Sequence, residues 1–223
     1  MQPGYLPWLG FFELMANCEC FVLLDDVQHT KKDWRSRNRI RTKDGCAWLT
    51  VPVYTKNKRF QLINEVEINN SISWRKKHLR AIEINYSRAR YFSKYFPYLE
   101  KKYYCDWRYL VDFNVELIIF LKEKLGIKIP VFKSSLLNID GTKEIKIINI
   151  CKKLGAQELY DSKAASTFLN ANKFQKENIR VEFQDYSHPV YEQMYKPFMP
   201  YMCIIDLLLQ YGPDSLNILL NKR

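Results

Sequence analysis

From Ser73 to Gly126 the apolar residues recur at spacings of three and four, through "SWRKKHLRAIEINYSRA" and on to "YFSKYFPYLEKKYYCDWRYLVDFNVELIIFLKEKLGI". That period predicts helices with one buried face each, and Gly126 supplies the stop. Outside this block the pattern shortens. "CFVLLDDVQ" reads as a buried strand ending in two carboxylates, "CAWLTVPVY" as a strand after the "KDG" turn, and "NEVEI" as another short one. Beyond the block, "VFKSSLL" is a strand after Pro130, and "GTKEIKIINICKKLGA" is an amphipathic helix ending at Gly155. "QELYDS", "AASTFLNANKFQKEN" and "IRVEFQDY" follow as strand, helix and strand, at a spacing that suits parallel strands joined by a crossover. The tail "MPYMCIIDLLLQYGPDSLNILL" is a helix, a Gly-Pro break and a last helix. The expected fold is α/β: a mainly parallel, Rossmann-like sheet in a single domain over residues 1–223, with a helical insertion around 70–126.

The 223 residues suffice for a core of their own. The longest apolar runs, "LIIFL" and "CIIDLLL", fall far short of the roughly 18 residues that span a bilayer. The first residues lack the basic, apolar and small-residue order of a signal peptide. Six scattered cysteines form no C-x-x-C pair, and three histidines leave little to share a metal. These features point to a reduced, cytoplasmic protein without a metal site. No sequence motif names a cofactor, because Walker, G-x-G-x-x-G, G-x-S-x-G and kinase patterns are all missing.

A net charge of +11 calls for an anionic partner. The charge concentrates in residues 31–43, "KKDWRSRNRIRTK", where seven basic residues face one acid. Arg35, Arg37, Arg39 and Arg41 alternate strictly, so an extended segment would line them along one face, with Trp34, Ser36, Asn38 and Ile40 on the other. Guanidinium forks match phosphate oxygens. A solvated edge strand guarded by charge is the alternative. Nucleic acid, stacking on Trp34 and Tyr54, stays open but is not favoured, since no RNP, KH or zinc-finger signature accompanies it.

The opening "QPGYLPWLGFFELM" combines prolines that restrict the backbone with glycines that free it, so a rigid loop hands over to a helix near Gly10. Such a helix start can hold a phosphate, or Tyr5 and Trp8 can simply seal the core. Asp25 and Asp26, with Gln28 beyond, suit a general base, sugar-hydroxyl acceptors or metal ligands. As adjacent strand residues they point to opposite faces, so at most one enters a given cleft. His188 in "YSHPVYEQ" follows a strand and precedes a proline that disfavours helix, which makes it the candidate proton acceptor among the histidines.

The blocks "QPGYLPWLGFFE", "LLDDVQHTKKDWRSRNRIRT", "WLTVPV", "SWRKKHLRAIEINY" and "YSHPVYEQ...FMPYMCIIDLLLQYG" occur in order over essentially the whole chain. Together they resemble the signature blocks of the WbqC-like family, bacterial proteins encoded mostly in O-antigen and other surface-polysaccharide clusters. Relatives usually carry a short strand and a histidine before the Gln-Pro, Ser-Gly where this chain has Asp161-Ser162-Lys163, and Ser where it has Cys203. The resemblance implies acyl or aminoacyl transfer, glycine included, from an activated donor to an amino sugar. His188 would then be the base and Asp25 or Asp26 would orient the sugar. The phosphorylated or nucleotide-linked substrate would meet Gln2, Tyr5, Trp8, Gln28, Arg35, Arg37, Asn38, Arg39, Arg41, Tyr191 and Gln193. Two rival expectations are a non-enzymatic basic protein, binding RNA or scaffolding polysaccharide assembly, and an ATP-dependent amide-forming ligase.

Overall fold

The computed structural model of the chain describes residues 1–31, 33–55, 58 and 60–221; Lys32, in the basic run, and the final Lys222 and Arg223 lie outside the described residues. Helix α1 (Leu9–Ala16) follows the proline-rich loop, and β1 (Phe21–Leu23) comes next. A hairpin of β2 (Arg37–Thr42) and β3 (Gly45–Thr50) precedes the helices α2 (Trp74–Tyr86), α3 (Phe92–Tyr104) and α4 (Leu110–Lys124). The second half holds β4 (Val131–Lys133), α5 (Lys143–Leu154), β5 (Glu158–Asp161), α6 (Ala171–Gln175) and β6 (Arg180–Phe183). It ends in α7 (Ile205–Tyr211) and α8 (Ser215–Leu219).

The strands do not join into one sheet. Among the described residues β1 pairs with β4 in parallel, β5 with β6 in parallel, and β2 with β3 antiparallel, as three separate two-stranded sheets. The expected α/β class is present, as a mixed fold in which two of the three small sheets are parallel, each sheet having two strands. The parallel strands are only three or four residues long. They are too short to propagate a ladder, and the helices provide most of the burial. The "NEVEI" segment forms a 3-10 turn at Ile63–Glu65 and isolated bridges rather than a regular strand. No helix among the described residues is long and apolar enough to cross a membrane.

Two hydrophobic clusters result. The larger gathers α1, β1, the hairpin, α2 to α4 and α7 around Phe12, Leu23, Ile40, Ile82, Phe113, Leu117 and Leu208. The smaller holds Ile148, Cys151, Ala165, Leu169, Phe174 and Ile179, with Leu159 and Val181 against it. It is the private core of the α5–β5–α6–β6 segment. Gly155 closes α5 at φ 67°, a left-handed conformation that suits glycine at a helix end.

The N-terminal loop is pinned from inside. Tyr5 is fully buried, and its hydroxyl hydrogen-bonds His78 Nδ1 at 2.8 Å and the Tyr103 hydroxyl. Leu6 sits at φ 42°, an uncommon conformation for a branched side chain, and Asn38 Nδ2 donates to its carbonyl at 2.7 Å. Gly10 is required by a close approach, since a Cβ there would lie 2.3 Å from the Trp8 ring.

Candidate functional site

A cavity of about 1060 Å³ opens between the two clusters. Its first wall is the N-terminal loop with Gln2, Pro7, Trp8 and Phe11, and its floor is the segment after β1, with Leu24, Asp26, Val27 and Gln28. The approach to β2 adds Trp34, Arg35, Asn38 and Arg39. The opposite wall is the start of α5, with Gly141, Thr142, Lys143, Lys146 and Ile147, together with Asp161 and Ser162 at the end of β5, and Phe168. Apolar atoms make up most of the lining, so the few polar groups act in a partly dehydrated space.

Asp26 is the best-placed of these groups. Lys146 Nζ donates to its Oδ2 at 2.6 Å and Ser134 Oγ to its Oδ1 at 2.5 Å. Lys146 itself is only 8% exposed, and a buried ammonium needs such a carboxylate beside it. The neighbouring Asp25 turns inward and is fully buried. Its Oδ1 accepts from the Ser135 backbone N–H at 2.9 Å and its Oδ2 from Ser135 Oγ at 2.6 Å, with Lys133 Nζ at 3.9 Å. Asp25 thus ties β1 to the segment after β4, while Asp26 meets the cavity.

Of the residues singled out in the sequence, Gln2, Trp8, Asp26, Gln28, Arg35, Asn38 and Arg39 line the cavity. The arginine face is not uniform. Arg35 pairs with Asp33. Arg37 lies over the Trp48 ring at 4.5 Å. Arg39 approaches Trp34 at 5.7 Å and donates to the Tyr201 carbonyl at 3.3 Å. Arg41, expected on the same open face, is 1% exposed. Its guanidinium donates to the carbonyls of Thr42, Gly45 at 2.6 Å, Tyr195 at 3.2 Å and Pro197 at 2.8 Å. The 195–197 segment covers that end of the strand, so the expectation of four open arginines is corrected at Arg41.

Tyr5, Tyr191, Gln193 and His188 also lie away from the cavity lining. Tyr191 and Gln193 join Tyr86 in donating to the fully buried Asp206, at 2.7, 2.8 and 2.8 Å. Burial raises the Asp206 carboxyl above its ordinary range, against these hydrogen bonds. Cys203 is fully buried beside it, its thiol pushed up by burial and then by Asp206, so it offers no thiolate. His188 is half-buried, with Nδ1 against the Pro189 carbonyl at 2.8 Å and Nε2 accepting from the Tyr201 N–H at 3.2 Å. Burial lowers its pKa, so the ring is neutral, and it stacks on Trp8 at 6.4 Å. With both nitrogens engaged, His188 braces the Trp8 wall.

The sequence reading did not name Lys143, Lys146, Thr142 or Phe168. One signal was available for Lys146: it stands four residues before the buried Ile150, on the covered side of an amphipathic helix. Among the described residues no group of three His, Cys, Asp or Glu could hold a metal ion.

The model of the WbqC-like protein family matches residues 2–218, a span that contains every wall of the cavity. The chain belongs to the WbqC-like family. It is also similar to the uncharacterized protein Rv1507c of Mycobacterium tuberculosis, 34% identical over 217 residues that cover 96% of this chain and 94% of that protein. No solved structure shows significant similarity to the chain. Family membership therefore covers both the main core and the α5–β6 segment, and with them the two sides of the cavity in this WbqC-like protein.

Proposed function

We propose that the protein is a cytoplasmic transferase of surface-polysaccharide biosynthesis. It moves an acyl or aminoacyl group, glycine among them, from an activated carboxyl donor to the amine of a phosphorylated or nucleotide-linked amino sugar. The observation that carries this reading is the Asp26–Lys146 pair, set in a large cavity whose other charged side chains are mainly cations. Arg39 and Lys143 attract the phosphate, and the apolar lining strengthens each interaction by excluding water.

The chemistry follows from the pair. The neutral amine attacks the carbonyl carbon of the donor, forming the C–N bond, while its proton passes to the Asp26 carboxylate. Lys146 retains N–H bonds beyond the one given to Asp26, and these stabilise the oxyanion of the tetrahedral adduct. Collapse breaks the bond from carbon to the leaving group, which departs with the proton that Asp26 returns. His188 serves as a positioning residue through Trp8.

Thermal shifts against nucleotide sugars, sugar phosphates, coenzyme A esters and ATP with magnesium identify the substrates, since saturation at about 100 times Kd adds roughly 2.7 kcal/mol. With substrates in hand, Asp26→Asn lowers product formation about 100-fold or more in a variant whose circular-dichroism spectrum at the assay temperature matches wild type, although loss of the carboxylate beside Lys146 lowers its unfolding midpoint. Full turnover by a folded Asp26→Asn variant removes Asp26 from the role of base. Stabilisation by ATP with magnesium and by no sugar turns the reading to an amide ligase.

A further inference from the structure

We propose that Trp34, at the cavity mouth, is the platform for a nucleobase, so that the ligand of this site is a nucleoside diphosphate derivative. The inference rests on the reading of the cavity as a phosphorylated-sugar site and names the group that the phosphate carries. Trp34 lines the cavity and is 51% exposed, and Trp48 beside it is 46% exposed, their rings 5.3 Å apart and tilted by 38°. Two adjoining exposed indoles are an unusual apolar surface, and Trp34 carries it to the cavity, with Trp48 packed against it outside the lining.

The guanidinium groups around them differ from their neighbours in what they have left to give. Arg35 is spent on Asp33, and Arg41 on four carbonyls. Arg37 and Arg39 have no carboxylate partner among the described residues. They are held by ring faces, Arg37 at 4.5 Å from Trp48 and Arg39 at 5.6 Å from Trp48 and 5.7 Å from Trp34. Cation–π contact orients a guanidinium without consuming its N–H donors. Arg39 gives one N–H to the Tyr201 carbonyl and keeps the rest of its fork, and a planar ring with such oriented donors beside it matches a base joined to a diphosphate. Across the cavity Lys143 and Thr142, at the start of α5, face the same space. A volume of about 1060 Å³ also exceeds what a sugar phosphate alone would fill.

The test is calorimetric titration of the full chain with UDP, ADP, inorganic pyrophosphate and a twelve-nucleotide RNA, in wild type, Trp34→Ala, Trp34→Phe and Arg39→Ala. In wild type at least one nucleoside diphosphate binds about tenfold or more tightly than pyrophosphate, the worth of one base–aromatic stack. Trp34→Ala removes that difference and weakens pyrophosphate less than Arg39→Ala does, because Arg39 keeps the Trp48 face. Trp34→Phe keeps most of the difference, and Arg39→Ala weakens nucleotide and pyrophosphate together. If pyrophosphate binds as tightly as both nucleotides, the base platform is wrong while the phosphorylated-sugar reading stands. If none of the phosphate probes binds, both readings fall. RNA that binds far more tightly than either mononucleotide, and loses that advantage in Trp34→Ala, replaces the proposal with a nucleic-acid surface.

Discussion

Strand β2 connects two polar regions with opposite characters. At its start, Asn38 and Arg39 border the open cavity and Asp26; at its end, Arg41 enters a sealed network with Tyr86, Tyr191, Gln193 and Asp206. In the sealed region each oxygen of Asp206 accepts a hydrogen bond and the side chain is fully buried. In the open region Asp26 has two side-chain partners but faces space large enough for substrates. Similar residue types thus serve different ends, and solvent access separates them. A fully satisfied buried network specifies structure, whereas a charge pair at a cavity keeps bonding capacity for a ligand.

The largest effect that separates the two regions is on stability. Asp206→Ala leaves two tyrosine hydroxyls and an amide without an acceptor in the core, and Arg41→Ala abandons four carbonyls. Each should lower the unfolding free energy by about 3–5 kcal/mol, read from urea denaturation. A loss below about 1 kcal/mol in either variant breaks the distinction between the sealed network and the cavity.

Acid sensitivity comes next and belongs to the sealed interior. Burial lowers the His78 pKa to about 4, despite its hydrogen bond to the Thr50 carbonyl. The unfolded chain therefore binds the proton first as pH falls. The stability due to neutral His78 is complete above about pH 6.5, drains away between there and about pH 4, and totals about 3 kcal/mol. A His78→Gln variant should show a flatter stability profile over that window. An unchanged slope assigns the acid sensitivity elsewhere, with His29, also lowered to about 4 by burial and then by Arg35 and Lys31, and His188, lowered by burial, as further contributors.

The smallest effect sharpens the contrast along one strand. Arg39→Ala should change stability by no more than about 0.5 kcal/mol, because its side chain is held by ring faces and one carbonyl at the rim. Its near neighbour Arg41 is expected to cost several times more in the same denaturation series. Equal losses at the two positions would show that Arg39 is structural as well.

Much of the local structure was legible in the residues. The three-and-four spacing located α2 to α4, "GTKEIKIINICKKLGA" located α5 and its glycine stop, and the strand–helix–strand spacing anticipated the parallel β5–β6 pair. The extended basic segment became β2 and the "KDG" turn the hairpin. That the strands stay in three separate pairs was not legible. A period reports which face of an element is buried, but not which other strand, if any, lies at its edge.

The sequence by itself determined where helices and short strands form, where positive charge concentrates, and which family's signature blocks the chain carries. Only the tertiary structure decided that Lys146 reaches Asp26 across 120 residues, that Arg41 is sealed while Arg39 stays at the rim, and that Tyr5 and Trp8 part ways between core and cavity. Local spacing sets the direction in which a side chain leaves its own backbone. What it meets there depends on elements distant in sequence, whose packing is settled by burial over the whole chain.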